Sequence, residues 1–154
     1  MAEEIERKFL VRSDAWRRAA TGTVFRQGYL STVKERTVRV RVAGDRGLLT
    51  IKGITVGATR TEFEYPIPAA DAEQMLDELC EQPVIEKSRY LVEHDGLTWE
   101  VDEFAGVNAG LIVAEVELAS ADREIDLPDW VGEEVTDDAR YYNANLIAKP
   151  YSEW

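Results

Sequence analysis

The sequence predicts an α+β fold that is mainly β: eight antiparallel strands in one sheet, closed or nearly so, with a few flanking helices. Three observations predict it. Short runs alternate apolar and charged residues with period two along most of the chain. Links rich in Gly, Pro and Asp separate them, without the strand–helix–strand rhythm of a parallel sheet. The charged rows are also sorted by sign from strand to strand.

Residues 3–11 form the first strand, with Glu4, Glu6 and Lys8 on one face and Ile5, Arg7, Phe9 and Val11 on the other. Ser13 caps a short helical turn over 14–18, ended by Thr21-Gly22. Residues 24–30 are the second strand, with Gly28 as a bulge. In the third, 36–42, Arg39 and Arg41 oppose Val38, Val40 and Val42. After the turn at 44–47, residues 48–54 set Thr50 and Lys52 against Leu49 and Ile51. The fifth strand, 60–67, alternates Arg60, Glu62 and Glu64 with Thr61, Phe63, Tyr65 and Ile67.

Asp71 and Gln74 form a capping box for a helix with the stripe Ala72, Met75, Leu76, Leu79 and Cys80. Residues 84–92 place Ile85, Lys87, Arg89 and Leu91 on one face, and Asp95-Gly96 signals a hairpin. In 97–104, Glu100 and Asp102 oppose Trp99 and Val101; in 111–118, Glu115 and Glu117 oppose Ile112, Ala114, Val116 and Leu118. Thr136 caps a last helix reaching about Lys149, before Pro150.

The length of 154 residues suits one domain, 1–154, able to bury a substantial core. No apolar run approaches the about 18 residues of a membrane helix, and the start of the chain is acidic, so no membrane partner is expected. One cysteine, Cys80, precludes an intrachain disulfide and a cysteine-built zinc site, and points to a reducing, cytoplasmic location. The net charge of −12 argues against nucleic acid as a partner. It does not exclude a small anion held by a local basic cluster, because charges are screened over about 8 Å.

Acidic pairs two residues apart occur at Glu4/Glu6, Glu62/Glu64, Glu100/Asp102 and Glu115/Glu117, and basic pairs at Arg39/Arg41 and Lys87/Arg89, with Lys8 and Lys52 single. An ordinary solvated face mixes signs, because like charges side by side repel. Such segregation builds strong local potentials. If the rows face into a barrel, six bases meet eight acids, a formal charge of −2 that one divalent cation cancels. Carboxylate oxygens suit Mg²⁺ or Mn²⁺, and arginine forks suit phosphate.

Residues 4–10, Glu-Ile-Glu-Arg-Lys-Phe-Leu, resemble the ExExK signature of the CYTH superfamily, the triphosphate tunnel metalloenzymes. Arg39-Val40-Arg41, Thr50-Ile51-Lys52, Glu62-Phe63-Glu64, 86–90, Glu100-Val101-Asp102 and Glu115-Val116-Glu117 follow in the family's order. The resemblance implies a closed eight-stranded antiparallel tunnel that binds triphosphate and hydrolyses or rearranges it with Mg²⁺ or Mn²⁺. It implies Lys8, Arg39, Arg41, Lys52, Lys87 and Arg89 as phosphate ligands. Glu4, Glu6, Asp102, Glu115 and Glu117 become metal-site carboxylates, supported by Glu62, Glu64 and Glu100. Lys87, with Tyr29 nearby, takes a catalytic role, and the segment Arg140-Tyr141-Tyr142-Asn143 closes one end.

The leading expectation is hydrolysis of inorganic tripolyphosphate to diphosphate and phosphate. A nucleoside or thiamine triphosphatase and an adenylate cyclase share the motifs; a non-catalytic polyphosphate or nucleotide binder would need only the basic rows. Arg7, beside Ile5 and Phe9, is expected outside the tunnel, His94 in solvent, and Trp16, Trp99 and Trp130 in packing. Monomer and homodimer both stay open.

Overall fold

The computed structural model describes residues 3–19 and 21–154, so Met1, Ala2 and Ala20 of the expected domain lie outside the described residues. The strands are β1 (Glu3–Val11), β2 (Gly22–Ser31), β3 (Thr37–Ala43), β4 (Arg46–Lys52), β5 (Thr59–Ile67), β6 (Ile85–His94), β7 (Leu97–Phe104), β8 (Ile112–Glu117) and β9 (Val131–Glu134). The helices are α1 (Ala69–Glu78) and α2 (Asn143–Ala148); 3-10 turns include Ala15–Ala19, between β1 and β2, and Ala139–Tyr141, just before α2. Strand order is β5-β4-β3-β2-β6-β7-β8-β1-β9, and β1 also pairs with β5. That last pairing closes eight antiparallel strands into a barrel and leaves β9 as an added ninth strand.

β1 makes the closure by changing partners along its length. Its first residues pair with β5 (Glu4 opposite Arg60), its later ones with β9 (Val11 opposite Val131), while β8 runs along the other edge. The Asp95-Gly96 turn that joins β6 to β7 has positive φ at both residues, 50° and 75°, the conformation a two-residue hairpin needs.

The barrel is apolar mainly on its outside. Phe9, Trp99, Val101, Ala114 and Val116 project outward from β1, β7 and β8 beneath Trp16, Trp130 and Val131. Trp99 meets Phe9 at 5.4 Å and Trp130 at 5.7 Å between ring centroids. On the opposite wall, Ala72, Leu76 and Cys80 cover Val40 and Val42. A third cluster fills one end of the interior: Tyr29, Ile85, Phe104, Leu111 and Val113 pack against Val135, Tyr141, Leu146 and Ile147. Full burial of a side chain such as Leu146 is worth about 1.5–3 kcal/mol, so this plug is a stable part of the fold.

Four local expectations are corrected. The strand irregularity lies between Tyr29 and Ser31, not at Gly28, which pairs with Val40. Gly28 instead permits close approach of α1: a Cβ there would lie 2.9 Å from Cys80 Cβ. α1 begins at Ala69 after Pro68, so Asp71 sits within its first turn and Gln74 donates to Glu78. Leu79 is exposed because the helix ends before it. The tail is not one helix from Thr136. The Thr136 hydroxyl accepts the Lys8 backbone N–H, Asp138 caps the 3-10 turn, and α2 spans only six residues. β9 was missed because four residues, one of them glycine, carry almost no periodic signal.

Candidate active site

The parity that turns the apolar rows outward turns the charged rows inward. Glu4, Glu6 and Lys8 of β1, Arg39 and Arg41 of β3, Lys52 of β4, Lys87 and Arg89 of β6, Glu115 of β8 and Tyr29 of β2 line one cavity with about 130 Å³ of open space. Glu62, Glu64, Glu100 and Asp102 stand on the same inward rows and reach these bases as ion-pair partners.

Lys8 Nζ lies 2.9 Å from Glu115, and Lys52 Nζ lies 3.0 Å from Glu4 and 3.2 Å from Glu62. Arg39 approaches Glu64 at 3.5 Å and donates to Thr50 Oγ1, which donates to Glu64. Arg89 clamps Asp102 with two 2.8 Å hydrogen bonds and reaches Glu100 at 3.1 Å. Lys87 Nζ lies 2.6 Å from Asp102. The bases thus rest on carboxylates that an incoming anion could replace. Arg41 is the exception: it donates to Gln27 and stacks over Phe25 at 4.7 Å.

The carboxylates divide into two electrostatic groups. Burial would raise Asp102, but Arg89 and Lys87 hold it down at about 2. Glu115 is likewise held well below the usual range, because Lys8 and Arg89 outweigh its burial. Glu6 is pushed well above it by burial and by the neighbouring Glu115. Burial also raises Glu4, against the pull of Lys52, and Glu100, against Arg89. Glu117 is raised by burial and then by Glu4 and Glu100.

Among the bases, burial pulls Lys8 down, but Glu115 and Glu6 outweigh it and hold the ammonium charged. Lys87 falls to about 7 through burial and the neighbouring Arg89 and Arg41, despite Asp102. Arg41 falls to about 9 through burial and the adjacent Arg39 and Arg89.

Glu6, Glu100 and Glu115 each offer a carboxylate oxygen, and these oxygens lie within 4.8 Å of one another. An all-oxygen, anionic donor set fits a hard divalent cation, and such an ion would relieve the crowding that raises Glu6. Asp102 is engaged by Lys87 and Arg89, and Glu4 by Lys52. Glu117 is more exposed and lines a separate depression with Glu100, Thr98 and Leu97.

Residues 2–151 match the family model of the CYTH domain. The chain belongs to the CYTH family. A relative from Acetivibrio thermocellus described as an inorganic triphosphatase is 51% identical over 151 residues, covering 98% of this chain and 97% of the relative. A second, from Nitrosomonas europaea and described in the same words, is 40% identical, covering 93% and 95%. The crystal structure of an inorganic triphosphatase superimposes with a TM-score of 0.65 at 36% identity, covering 93% of this CYTH chain and 96% of the other.

The expected ligand and catalytic residues did not include Gln27, Thr50, Arg60 or Asn143, although Thr50 and Arg60 stand on the charged rows and Asn143 in the expected closing segment. Arg60 shares the inward row of Glu62 and Glu64, so parity alone could have found it; its guanidinium donates to Gly53 O and Thr37 Oγ1. His94 sits at the surface beside Asp126, 3.0 Å away, outside the cavity. Arg7 points outside, paired with Glu134.

Proposed function

We propose that this chain is a divalent-metal-dependent inorganic triphosphatase that cuts tripolyphosphate to diphosphate and phosphate. The observation that carries this reading is the barrel interior, where six bases stand beside three carboxylates whose oxygens lie within 4.8 Å of one another. Phosphoryl transfer needs positioning and charge neutralisation more than covalent chemistry. Lys8, Arg39, Lys52 and Arg89 exchange their carboxylate partners for phosphate oxygens, Arg41 offers its guanidinium directly, and together they hold the triphosphate along the tunnel. Arg39, Arg41 and Arg89 do so with planar forks that match phosphate.

Glu6, Glu100 and Glu115, with Glu4 and Glu117 on neighbouring positions, would hold Mg²⁺ or Mn²⁺, which would supply Lewis-acid polarisation of phosphate oxygens. Lys87, at about 7, keeps a substantial neutral fraction near neutral pH, and a neutral amine can accept a proton from water. Asp102 holds that amine in place from one side and Asn143 from another. Tyr29 packs at the inner end of the cavity, near the plug. The chain acts as one domain, and its single buried, free cysteine suits a reducing cytoplasm.

The test is phosphate release from tripolyphosphate, ATP, GTP and thiamine triphosphate with Mg²⁺ or Mn²⁺. Tripolyphosphate should give the highest kcat/KM. A higher value on ATP with cyclic product would assign a cyclase instead.

A further inference from the structure

β2 is the barrel strand whose inward row carries no charge: Phe25, Gln27 and Tyr29, all buried. Gln27 is 0% exposed, yet both ends of its amide are used. Its Oε1 accepts from Arg41 Nε at 2.8 Å, and its Nε2 donates to Asn143 Oδ1 at 3.0 Å. The same Asn143 oxygen accepts from Lys87 Nζ at 2.9 Å. A continuous chain therefore runs from Arg41 through Gln27 and Asn143 to Lys87.

Among the described residues, Arg41 has no carboxylate within 4.0 Å, unlike Lys8, Arg39, Lys52, Lys87 and Arg89. A neutral amide suits it. Gln27 fixes the guanidinium by Nε without cancelling its charge, and Arg41 makes no other side-chain hydrogen bond among the described residues. Phe25 supports the fork from its face, with Arg89 over the same ring at 4.8 Å. Asn143 belongs to α2, so the C-terminal plug supplies the oxygen that both Gln27 and Lys87 use. Where water is scarce, such bonds fix orientation, and losing one leaves a buried polar group unsatisfied.

We propose that Gln27 and Asn143 are positioning residues, which hold Arg41 and Lys87 in one geometry for a triphosphate and make that geometry depend on the seating of α2. The inference rests on the triphosphatase reading above. The test compares wild type, Gln27→Met, Asn143→Leu and the double variant. It measures kcat and KM for tripolyphosphate with saturating Mg²⁺ or Mn²⁺, the calorimetric affinity of the metal-free protein for tripolyphosphate, and Tm.

Gln27→Met should weaken metal-free affinity and raise KM about tenfold, the scale of one lost charge-assisted hydrogen bond, with kcat within about threefold. Asn143→Leu should lower kcat about tenfold as well, through Lys87. The double variant should lose less kcat/KM than the product of the singles, because both break one chain. Affinity and KM within twofold of wild type in Gln27→Met, or losses seen only in Tm, overturn the proposal. Wild type that binds tripolyphosphate without cleaving it sinks the triphosphatase reading, and the affinity comparison then decides the positioning one. Wild type that neither binds nor cleaves it sinks both.

Discussion

Arg7 and Lys8 are adjacent in the chain and opposite in fate, because successive strand side chains face opposite ways. Arg7 pairs with Glu134 on the half-exposed outside, where an ion pair contributes at most about 1 kcal/mol. Lys8 is buried against Glu115 in the cavity. Arg7→Ala should therefore keep kcat/KM on tripolyphosphate within about twofold, while Lys8→Ala should lower it by about a hundredfold, the scale of a lost charged contact. A second residue-level expectation concerns Asp102. Its folded-state pKa is depressed to about 2, against about 3.9 for a free aspartate, so the stability it confers is present above about pH 4 and is lost as pH falls toward 2. Between those pH values wild type should lose stability more steeply than Asp102→Asn, as measured by chemical denaturation. Parallel slopes would contradict the assignment. At this scale the charged site residues were legible because sign-sorted pairs on a period of two are rare in solvated faces. Gln27 was not, because an uncharged polar residue gives no pattern until the strands come together; Thr50 and Asn143 were placed on the Lys52 face and in the closing segment, but their bonds to Glu64, Gln27 and Lys87 were not legible.

At the scale of elements, all eight barrel strands were legible, with ends shifted by a residue or two. Most carry a charged row opposite a more apolar one, and that contrast survives any error in the ends. β9 and the broken tail were not, since their places are fixed by distant partners: Lys8 bonds to Thr136, and Tyr141 and Leu146 enter the plug. α1 was legible as a helix, but its dependence on Gly28 was not, because that contact joins two distant segments. A Cβ at Gly28 would come 2.9 Å from Cys80 Cβ and 3.2 Å from Leu76 Cδ2. Gly28→Ala should therefore cost about 1–3 kcal/mol of stability, read as a lower denaturation midpoint. Its activity at low temperature should stay near wild type, since the added methyl lies on the outer face. An unchanged midpoint would show that α1 shifts freely.

For the whole molecule, the barrel reverses the common arrangement by placing much of its charge inside and its core outside and at one end. Wrapping the outer wall with Trp16, Trp130 and α1 stabilises the fold without filling the lumen. The interior therefore stays open and heavily charged, and its acids and bases pair with one another. Closure itself was only half legible: alternation predicted one sheet, but the pairing of β1 with β5 involves just three residue pairs. An interior built this way should cleave triphosphate with a divalent metal. This is tested most directly by following tripolyphosphate with phosphorus NMR in the presence of Mg²⁺ or Mn²⁺, and again with chelator. Equimolar diphosphate and phosphate should accumulate with metal and not with chelator. Tripolyphosphate left intact with either metal, while still bound by the protein, would contradict the account and identify a binding module.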